Sequence, residues 1–409
     1  MSYAPPPPDR LRAVIDEVVQ SDLCTGCGVC ELVSPRVEMR DAEGFRRPVV
    51  SGTPEEGDAW RARTFLRSCP GRTLTAPRPE GVQRDPYLGP IHGAWRAWAL
   101  DPEIRHRGSS GGTLTAIADF LRERGEVVSG VAAHPEGPRR TIPVRITTRE
   151  EALAAAGSRY APVSAGGRSA DDAGVMVGKP CEVAGRRQLD AANGVDSPVL
   201  LSFFCAGTPS QDATEVLLER EGIQRDEPLM DLWYRGRGWP GDFTALTRDG
   251  RRATVDYASS WGGALGPTVQ WRCRLCVDGV GEFSDITAGD FWDADERGYP
   301  VFDDAAGMSA LIARTPRGLQ IVQDAVVAGR LHVEPMDLQA LLRVQRYQVE
   351  RRKYMLGRLV GNRLSGGHNP RYRGFGLLTL VSRSPRRVLH EVRGTIERAA
   401  KRRGGRGPS

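Results

Sequence analysis

Two cysteines in the last third of the chain, Cys273 and Cys276, are separated by two residues. This spacing turns both sulfurs toward one centre, which suits a soft metal or a redox dithiol. An iron–sulfur cluster, a zinc ribbon, a redox dithiol and a pair without chemistry are all consistent with the pair alone. The other six of the eight cysteines therefore decide which chemistry is expected.

A second set, Cys24, Cys27 and Cys30, has the spacing C-x2-C-x2-C and is followed by a serine-proline pair. Bacterial ferredoxins carry C-x2-C-x2-C-x3-C-P, in which tight turns present three thiolates to one cluster. Ser34 occupies the fourth position, and Cys69, which also precedes a proline, is the nearest replacement. We predict a [4Fe-4S] cluster on these four cysteines. A three-iron cluster or another type of ligand is the alternative, and zinc fits this spacing poorly.

The last two cysteines, Cys181 and Cys205, each follow an apolar stretch that predicts a strand. Cys181 begins a predicted helix, where the helix dipole favours a thiolate, and Cys205 enters a Gly/Pro turn. Ligands of open α/β sheets collect at strand ends. Together with Cys273 and Cys276 these cysteines make a second group of four, as a second [4Fe-4S] cluster requires; a structural zinc is the rival.

A glycine-rich loop, 109–112, opens a predicted helix whose apolar residues recur at helical spacing. Free backbone N–H groups at such a helix start suit a phosphate or pyrophosphate, although a plain capped helix has the same sequence signature. A small-residue turn with Ser158, Arg159 and Tyr160 has groups for a phosphate and a ring, and a surface loop is its ordinary interpretation.

Hydrophobic periodicity and turn residues predict the elements that position these groups. Helices are expected at Arg10–Gln20, 113–121, up to Ala156, after 181, at Arg317–Ala328 and at Met336–Leu359, and strands at Ala94–Leu100, Val127–Ala133, from Gly174, Val199–Phe204, within 277–292 and at Ser309–Thr315. This alternation predicts an α/β fold, with α+β character in parts.

The positive charge of the chain bears on whether the protein binds nucleic acid or an acidic partner. The 409 residues carry a formal charge of +6, but lysine occurs only at 179, 353 and 401, so an arginine-rich composition explains the charge better than nucleic-acid binding. A basic run between Arg343 and Arg358 is a candidate contact for an acidic substrate tail or ferredoxin, and a solvated helix face is the favoured interpretation. The six histidines show no ligand spacing.

The start of the chain lacks the features of a secretory signal, and no window is apolar enough for a transmembrane helix. We therefore expect a cytoplasmic protein, in which eight cysteines are more typical of metal ligands than of disulfides. Residues 382–409 form an amphipathic basic segment that we expect to be frayed or disordered, with at most weak membrane-surface contact.

Together these motifs resemble the coenzyme F420 hydrogenase/dehydrogenase beta-subunit family, to which 7-hydroxymethyl chlorophyll a reductase is related. The resemblance runs from Ser21 to Leu341. The motifs that carry it are the Cys24–Cys30 run, Ser-Ser-Gly-Gly at 109–112, Gly-Ser-Arg-Tyr at 157–160, Gly-Lys-Pro-Cys at 178–181, Phe-Cys-Ala-Gly at 204–207, Arg-Gly-Trp-Pro-Gly at 237–241, Cys-Arg-Leu-Cys at 273–276 and Gly-Asp-Phe-Trp at 289–292.

The resemblance implies an FAD-binding α/β domain, an N-terminal ferredoxin-like iron–sulfur module and a helical C-terminal tail. We expect the module at 1–85, an N-terminal FAD-binding region at 86–175, a catalytic region with the second cluster at 176–345 and the basic tail, partly disordered, at 346–409. The implied FAD ligands are Ser109, Ser110, Gly111, Gly112, Thr113, Ser158, Arg159 and Tyr160, with Lys179 near the flavin at a position where the family often has a small hydroxyl residue.

The implied function is electron transfer between [4Fe-4S] clusters, FAD and coenzyme F420, since a flavin converts between single electrons and hydride. A ferredoxin-dependent reductase of a small metabolite and a non-catalytic electron-transfer subunit are the alternatives. The expected partners are ferredoxin or a partner redox subunit, and a deazaflavin or small-molecule substrate. Lys179 and Asp290 are the candidate catalytic residues, and Asp285 and Asp290 are candidates for tuning the second cluster or delivering a proton.

Overall fold

A computed structural model describes residues 9–79, 81–82, 84–292, 306–381 and 385–405. The N-terminal module begins with a helix that ends at the predicted residue, and it builds its own core from this helix and α3, which bury Leu11, Ile15 and Phe65. Its elements are α1 (Arg10–Gln20), α2 (Cys30–Val33), β1 (Val37–Ala42), β2 (Phe45–Val50), α3 (Asp58–Ser68) and β3 (Thr73–Thr75).

The central region alternates strands and helices as predicted. Its first part comprises β4 (Arg84–Asp85), β5 (Gly89–Pro90), β6 (Gly93–Ala99), α4 (Pro102–Arg107), α5 (Thr113–Glu123), β7 (Val128–His134), β8 (Gly137–Ile146), α6 (Arg149–Ala154), β9 (Val175–Gly178), α7 (Pro180–Asn193), β10 (Val199–Phe203) and α8 (Gln211–Arg220). The predicted strands near residues 94, 127, 174 and 199 are thereby confirmed.

The second part begins with a small antiparallel sheet and then returns to the main one. It comprises β11 (Leu229–Trp233), β12 (Phe243–Thr247), β13 (Arg252–Val255), α9 (Trp271–Arg274), β14 (Ile286–Phe291), β15 (Met308–Ala313), α10 (Pro316–Val327), β16 (Leu331–Pro335), α11 (Leu338–Val344), α12 (Arg346–Lys353), α13 (Met355–Leu364), β17 (Arg371–Arg373), α14 (Leu377–Val381) and α15 (Pro385–Gly405).

One mixed sheet of eight strands organises the molecule, in the order β16-β6-β15-β14-β10-β9-β7-β8. The strands β14, β10, β9 and β7 are parallel at its centre, and the flanking pairs are antiparallel. The helices α5 and α10 pack on the sheet through Ile117, Leu121 and Val322. The predicted mixed α/β class is confirmed, and the carboxyl ends of β9, β10 and β14 meet at one edge, where ligands of such sheets bind.

The C-terminal third differs from prediction in two respects. The helix expected over Met336–Leu359 is three short helices, α11 to α13, with breaks at Gln345 and Tyr354. The expected solvated basic face is wrong for Arg351 and Arg352, which are both 2% exposed. Their partners lie in loops of the main sheet, so the local sequence gives no sign that they are buried.

The C-terminal segment forms the helix α15, which packs on α13. A Cβ atom at Gly357 would lie 2.6 Å from the Val388 carbonyl, and one at Gly361 would lie 2.5 Å from that of Val392, so glycine permits the close helix contact. The frayed or disordered segment that we expected over 382–409 is therefore wrong for Pro385–Gly405, and the rest of that segment lies outside the described residues. None of the described helices combines the length and apolar character that crossing a bilayer requires. The boundaries between the four predicted domains stay predictions.

Candidate functional site

The four cysteines of the predicted first cluster face one another at the core of the N-terminal module. Cys27 and Cys30 are buried, and Cys24 and Cys69 are half-buried against the same apolar side chains. Burial raises the pKa of Cys27 to about 11 and that of Cys69 to about 12, and the charges of neighbouring thiols act in the same direction. Cys30 interacts electrostatically with the other three.

Ser34 stands apart from this group by its hydrogen bonding. It is buried at the end of α2, and its hydroxyl accepts a hydrogen bond from the Arg36 N–H at 3.2 Å. Cys69 follows α3 directly, and its N–H donates to the Phe65 carbonyl. The fold therefore brings Cys69, rather than Ser34, to the three cysteines of the local motif.

The second group of four cysteines assembles at the carboxyl ends of β9 and β10 beside α9. The Thr208 N–H, three residues after Cys205, donates to Cys273 Sγ at 3.4 Å. Burial raises the pKa of Cys205 to about 12, and the charges of Cys273 and Cys276 add to it. Burial also raises the pKa of Cys181 well above its ordinary value; Glu182, Cys27 of the first group and Cys205 raise it too, and Lys179 lowers it. Cysteines far apart in sequence are therefore neighbours in the fold.

Within the described part of the chain, no group of three or more His, Cys, Asp or Glu side chains is arranged to hold a single metal ion. A zinc site needs its ligands around one ion, and a structural zinc stays the alternative at the second group. In a [4Fe-4S] cluster each thiolate binds a different iron, and the ligands stand further apart. Cluster binding by these two groups of four buried or half-buried thiols stays a proposal.

A cavity of about 550 Å³ opens at the carboxyl ends of β9, β10 and β14. Its wall combines the loop 108–113 except Gly111, the turn 157–161 and Cys205 of the second cysteine group. Aromatic side chains from several loops complete the wall: Tyr160, Trp239, Tyr257, Trp261, Trp292 and Tyr347. Its size and mixed lining suit a ring-bearing ligand such as a cofactor.

The glycine-rich loop places the start of α5 on this cavity. Gly112 has φ +71°, and a Cβ atom there would lie 2.7 Å from the Ile104 carbonyl. A Cβ atom at Gly111 would lie 2.4 Å from the Ala97 carbonyl. The two preceding serines are held by neighbours, because Ser109 Oγ lies 2.7 Å from Ser158 Oγ and Ser110 donates to the Met308 carbonyl.

Thr113, the first residue of α5, contributes a buried hydroxyl to the cavity wall. Its side chain is 2% exposed, and its Oγ1 has no hydrogen-bond partner among the described residues although it belongs to the cavity wall. No side chain caps the helix start. A buried hydroxyl and free helix N–H groups at one place fit a phosphate-bearing ligand.

The turn after α6 meets the loop through Ser158, but its arginine is engaged elsewhere. Arg159 donates to the carbonyls of Leu232, Pro138 and Arg140 and to Thr141 Oγ1. Burial lowers the pKa of Arg159. The predicted phosphate contact of Arg159 would need these bonds to be exchanged, so Ser158 and Tyr160 fit the cofactor prediction better.

Lys179 and Asp290 line the cavity, whereas Asp285 does not. Lys179 Nζ donates to the Val163 carbonyl at 3.0 Å and to Glu182 Oε1 at 2.5 Å in the cavity wall. Asp285 is buried away from the cavity and binds Arg187 and Arg317. Asp285 is therefore a structural carboxylate, whereas Asp290 lines the cavity.

Arg235, which the motif analysis did not single out, connects three parts of the cavity wall. It is 5% exposed and donates to Asp290 Oδ2 at 2.6 Å, to the Ser109 carbonyl at 2.6 Å and to the Pro240 carbonyl at 2.9 Å. Its guanidinium lies over the Tyr257 ring. Burial lowers the pKa of Arg235, and the neighbouring Asp290 carboxylate raises it. The net pKa shift is upward, so the arginine stays charged.

Comparison with known proteins decides the family. Residues 94–166 match the N-terminal model of the family described as coenzyme F420 hydrogenase/dehydrogenase, beta subunit, and residues 172–339 match the C-terminal model of the same family. The two matches together make up more than half of the chain. The chain belongs to this family. The predicted family membership is confirmed, and the matched residues include the loop 109–113 and the second cysteine group, whereas the Cys24–Cys69 module lies outside them.

Two curated relatives illustrate the F420 beta-subunit family. The chain is 27% identical to the F420-dependent formate dehydrogenase 1 subunit beta of Methanococcus maripaludis over 56% of this chain, and the match spans 58% of that protein's length. It is also 27% identical to the coenzyme F420 hydrogenase subunit beta of Methanosarcina barkeri, over 62% of this chain and 85% of that protein.

A solved structure supports the same fold. A chain of the F420-reducing [NiFe] hydrogenase complex of Methanosarcina barkeri superposes with a TM-score of 0.50 at 22% identity, covering 71% of this chain and 98% of that chain. This likeness concerns the fold alone.

Sequence reasoning missed a further set of charges in this member of the F420 beta-subunit family. Arg351 donates to the Cys205 carbonyl at 3.0 Å and to Gln348, and Gln348 also donates to that carbonyl. Arg352 pairs with buried Glu282. The basic run of the sequence was a signal for these residues, but only the tertiary contacts show that part of it faces the second cysteine group.

Proposed function

We propose that the chain is an iron–sulfur flavoprotein oxidoreductase that moves electrons between [4Fe-4S] clusters, FAD and coenzyme F420. The observation that carries this proposal is the composition of the cavity wall, in which the start of α5 and Cys205 of the second cysteine group face the same space. A flavin there would lie beside a cluster, and both relatives described above are named as F420-dependent or F420 enzymes.

FAD is the cofactor that these residues would hold. Its phosphates would meet the N–H groups at the start of α5 and the free hydroxyl of Thr113, and its rings would meet the aromatic wall. When bound, FAD exchanges single electrons on one side and hydride on the other. The Arg235 guanidinium positions the Ser109 loop and Asp290 relative to each other. Asp290 is then the carboxylate that Arg235 holds in the cavity wall, and it stays a candidate catalytic residue.

The two cysteine groups would hold the clusters. Cys24, Cys27, Cys30 and Cys69 would bind the first, and Cys181, Cys205, Cys273 and Cys276 would bind the second. Each group is buried or half-buried, which shields a cluster from solvent. An electron from ferredoxin or a partner subunit would enter at the first cluster and reach the cavity through the second.

The test is an anaerobic assay of the full chain with coenzyme F420. We expect the purified protein to bleach its flavin with reduced F420 and to reduce F420 when dithionite supplies electrons. Arg235→Met should lower the F420 rate while iron content stays constant, because it releases the Ser109 loop and Asp290. Flavin that binds but never exchanges electrons with F420 would contradict the proposed substrate.

A non-catalytic electron-transfer subunit is a second candidate, favoured by the fact that both relatives are named as beta subunits. In that case the isolated chain would bind both cofactors, and F420 turnover would require a partner subunit. The same assay with and without that partner distinguishes the two functions. A cytoplasmic location and a ferredoxin donor stay predictions.

A further inference from the structure

Two buried side chains just before Cys273 join the two cysteine groups, and we call Gln270 and Arg272 the bracket. Gln270 is 4% exposed and Arg272 is 2% exposed. The Cys273 N–H donates to the Gln270 carbonyl at 3.0 Å, so the bracket is rigidly connected to the second group.

Arg272 binds the loop that follows the fourth cysteine of the first group. Its guanidinium donates to the carbonyl of Pro70 at 2.8 Å and to that of Gly71 at 3.1 Å, directly after Cys69. A third bond, at 3.4 Å, reaches the carbonyl of Leu275 between the two cysteines of the second group's pair. One cation therefore holds both ligand loops.

Gln270 makes the corresponding contact at the other end of the first group. Its Nε2 donates to the Thr25 carbonyl at 2.8 Å, next to Cys24. Its Oε1 accepts a hydrogen bond from Arg47 at 3.1 Å. The segment before Cys273 thus touches the first group at both of its loops, and a shift of one group would break bonds to the other.

The charge of Arg272 acts on both groups. It interacts electrostatically with Cys24 on one side and with Cys273 and Cys276 on the other. Inside a protein such interactions are much stronger than in water. A cluster that gains an electron becomes more negative, so the guanidinium that binds loops of both cysteine groups would stabilise the reduced form of a cluster held by either.

We infer that the bracket couples the two clusters: Gln270 and Arg272 fix their relative position, and the Arg272 charge stabilises the electron as it passes between them. With both clusters bound, the transfer would move one electron from the first to the second, with no bond made or broken and no proton transferred. The inference rests on the two clusters of the proposed function. Both bracket residues are positioning residues, since neither carries a ligand sulfur.

Arg314 offers a matched control for Arg272. It is also fully buried and donates to three backbone carbonyls, those of Leu88, Pro90 and Val280. Its electrostatic neighbours are acidic and basic side chains, none of them a cysteine. Loss of Arg314 therefore removes a buried cation and three hydrogen bonds but no contact with the loops at Pro70, Gly71 and Leu275 that Arg272 binds.

The experiment is an anaerobic potentiometric titration of the full-length protein, followed by electron paramagnetic resonance. Arg272→Met should lower the equilibrium constant for reduction of each cluster at least tenfold. This corresponds to a reduction potential lower by ~59 mV for a one-electron couple. Arg272→Lys, which keeps the charge, should stay near the wild-type potentials, as should Arg314→Met. Gln270→Met should reduce the magnetic interaction between the two reduced clusters and shift the potentials less than Arg272→Met.

The outcomes separate the inference from the proposed function. Wild-type protein with fewer than two clusters overturns the proposed function. Two clusters whose potentials are equal in Arg272→Met and Arg314→Met overturn the inference alone. If Arg272→Met fails to assemble a cluster that Arg272→Lys and Arg314→Met both assemble, the coupling role is supported; equal loss in Arg314→Met contradicts it.

Discussion

The first cysteine group takes three thiols from the single run Cys24–Cys30 and the fourth from the end of α3, all within one small core. The second group takes its thiols from α7, from the loop after β10 and from the α9 turn, which the parallel sheet brings together. Local turns therefore build the first group, whereas the sheet builds the second and at the same time places Cys205 on the cavity. This difference predicts that substitutions in the two groups have different consequences for cluster binding and electron transfer.

The largest expected difference is in electron flow. Cys276→Ala should abolish reduction of the first cluster by reduced F420, because the second cluster is the only proposed connection to the flavin. Cys27→Ala should remove the first cluster and leave reduction of the second unchanged. Freeze-quench electron paramagnetic resonance measures both rates. If the first cluster were still reduced in Cys276→Ala, the order of the relay would be wrong.

Gly28 tests how strongly the first group depends on local packing. It has φ +86°, and a Cβ atom there would lie 2.8 Å from the Gly167 backbone nitrogen. Gly28→Ala should cost about 3 kcal/mol of unfolding free energy and lower the iron content of the first cluster, since strain and overpacking add. Anaerobic denaturant unfolding and iron analysis provide the measurement.

Gly52 is the matched control in the same module. Its φ is +70°, and nothing lies within 4 Å of the position that a Cβ atom would take. Gly52→Ala should therefore cost about 1 kcal/mol, from the left-handed backbone alone, and leave iron binding unchanged. Equal iron loss in both variants would show that general instability, rather than the contact with Gly167, governs the first group.

Thr113 tests the proposed FAD site in the cavity, which Cys205 of the second group also lines. Thr113→Val removes a buried hydroxyl without a partner among the described residues, so the protein without FAD should gain about 1 kcal/mol of stability. FAD binding should weaken about tenfold, because the phosphate loses a hydrogen bond. Titration of flavin-free protein with FAD, followed by fluorescence, measures the affinity.

Ser129 provides the control for Thr113. Its buried hydroxyl is likewise without a partner in the described part of the chain, and it is not part of the cavity wall. Ser129→Ala should raise the stability similarly and leave FAD affinity unchanged. An unchanged FAD affinity in Thr113→Val would remove the start of α5 from the proposed phosphate site.

The smallest expected effect concerns the position where the ferredoxin spacing has a fourth cysteine. Ser34→Cys should leave iron content unchanged and lower stability by about 1 kcal/mol or less, because sulfur accepts the Arg36 N–H more weakly than oxygen. Added to Cys69→Ala, it should not restore the first cluster. Restored iron in the double variant would show that both positions reach the same cluster.

Sequence reasoning succeeded where the signal is local. Hydrophobic periodicity predicted both ends of α1 correctly. Turn and strand patterns predicted β9 and β10, with Cys181 and Cys205 shortly after their ends. The cysteine spacing likewise gave the first group except for its fourth member, for which proline context was a sufficient guide.

The rest depends on residues that meet only in the fold. Arg235 binds Asp290, and Arg352 binds Glu282, across large sequence separations, so no local pattern marks these arginines as buried. Arg159 is a residue type that often binds phosphate, but its guanidinium donates hydrogen bonds to backbone carbonyls of neighbouring strands. The break of the predicted long helix at Gln345 follows from tertiary contact too, since Gln345 donates to the Asp290 carbonyl.

Counting iron and flavin per polypeptide in anaerobically purified protein tests the account most directly. Two cysteine groups and one cofactor cavity predict about eight irons and one FAD for each chain. A stoichiometric zinc, or four irons or fewer with no flavin, would contradict the claim that two clusters and a flavin lie side by side in this fold.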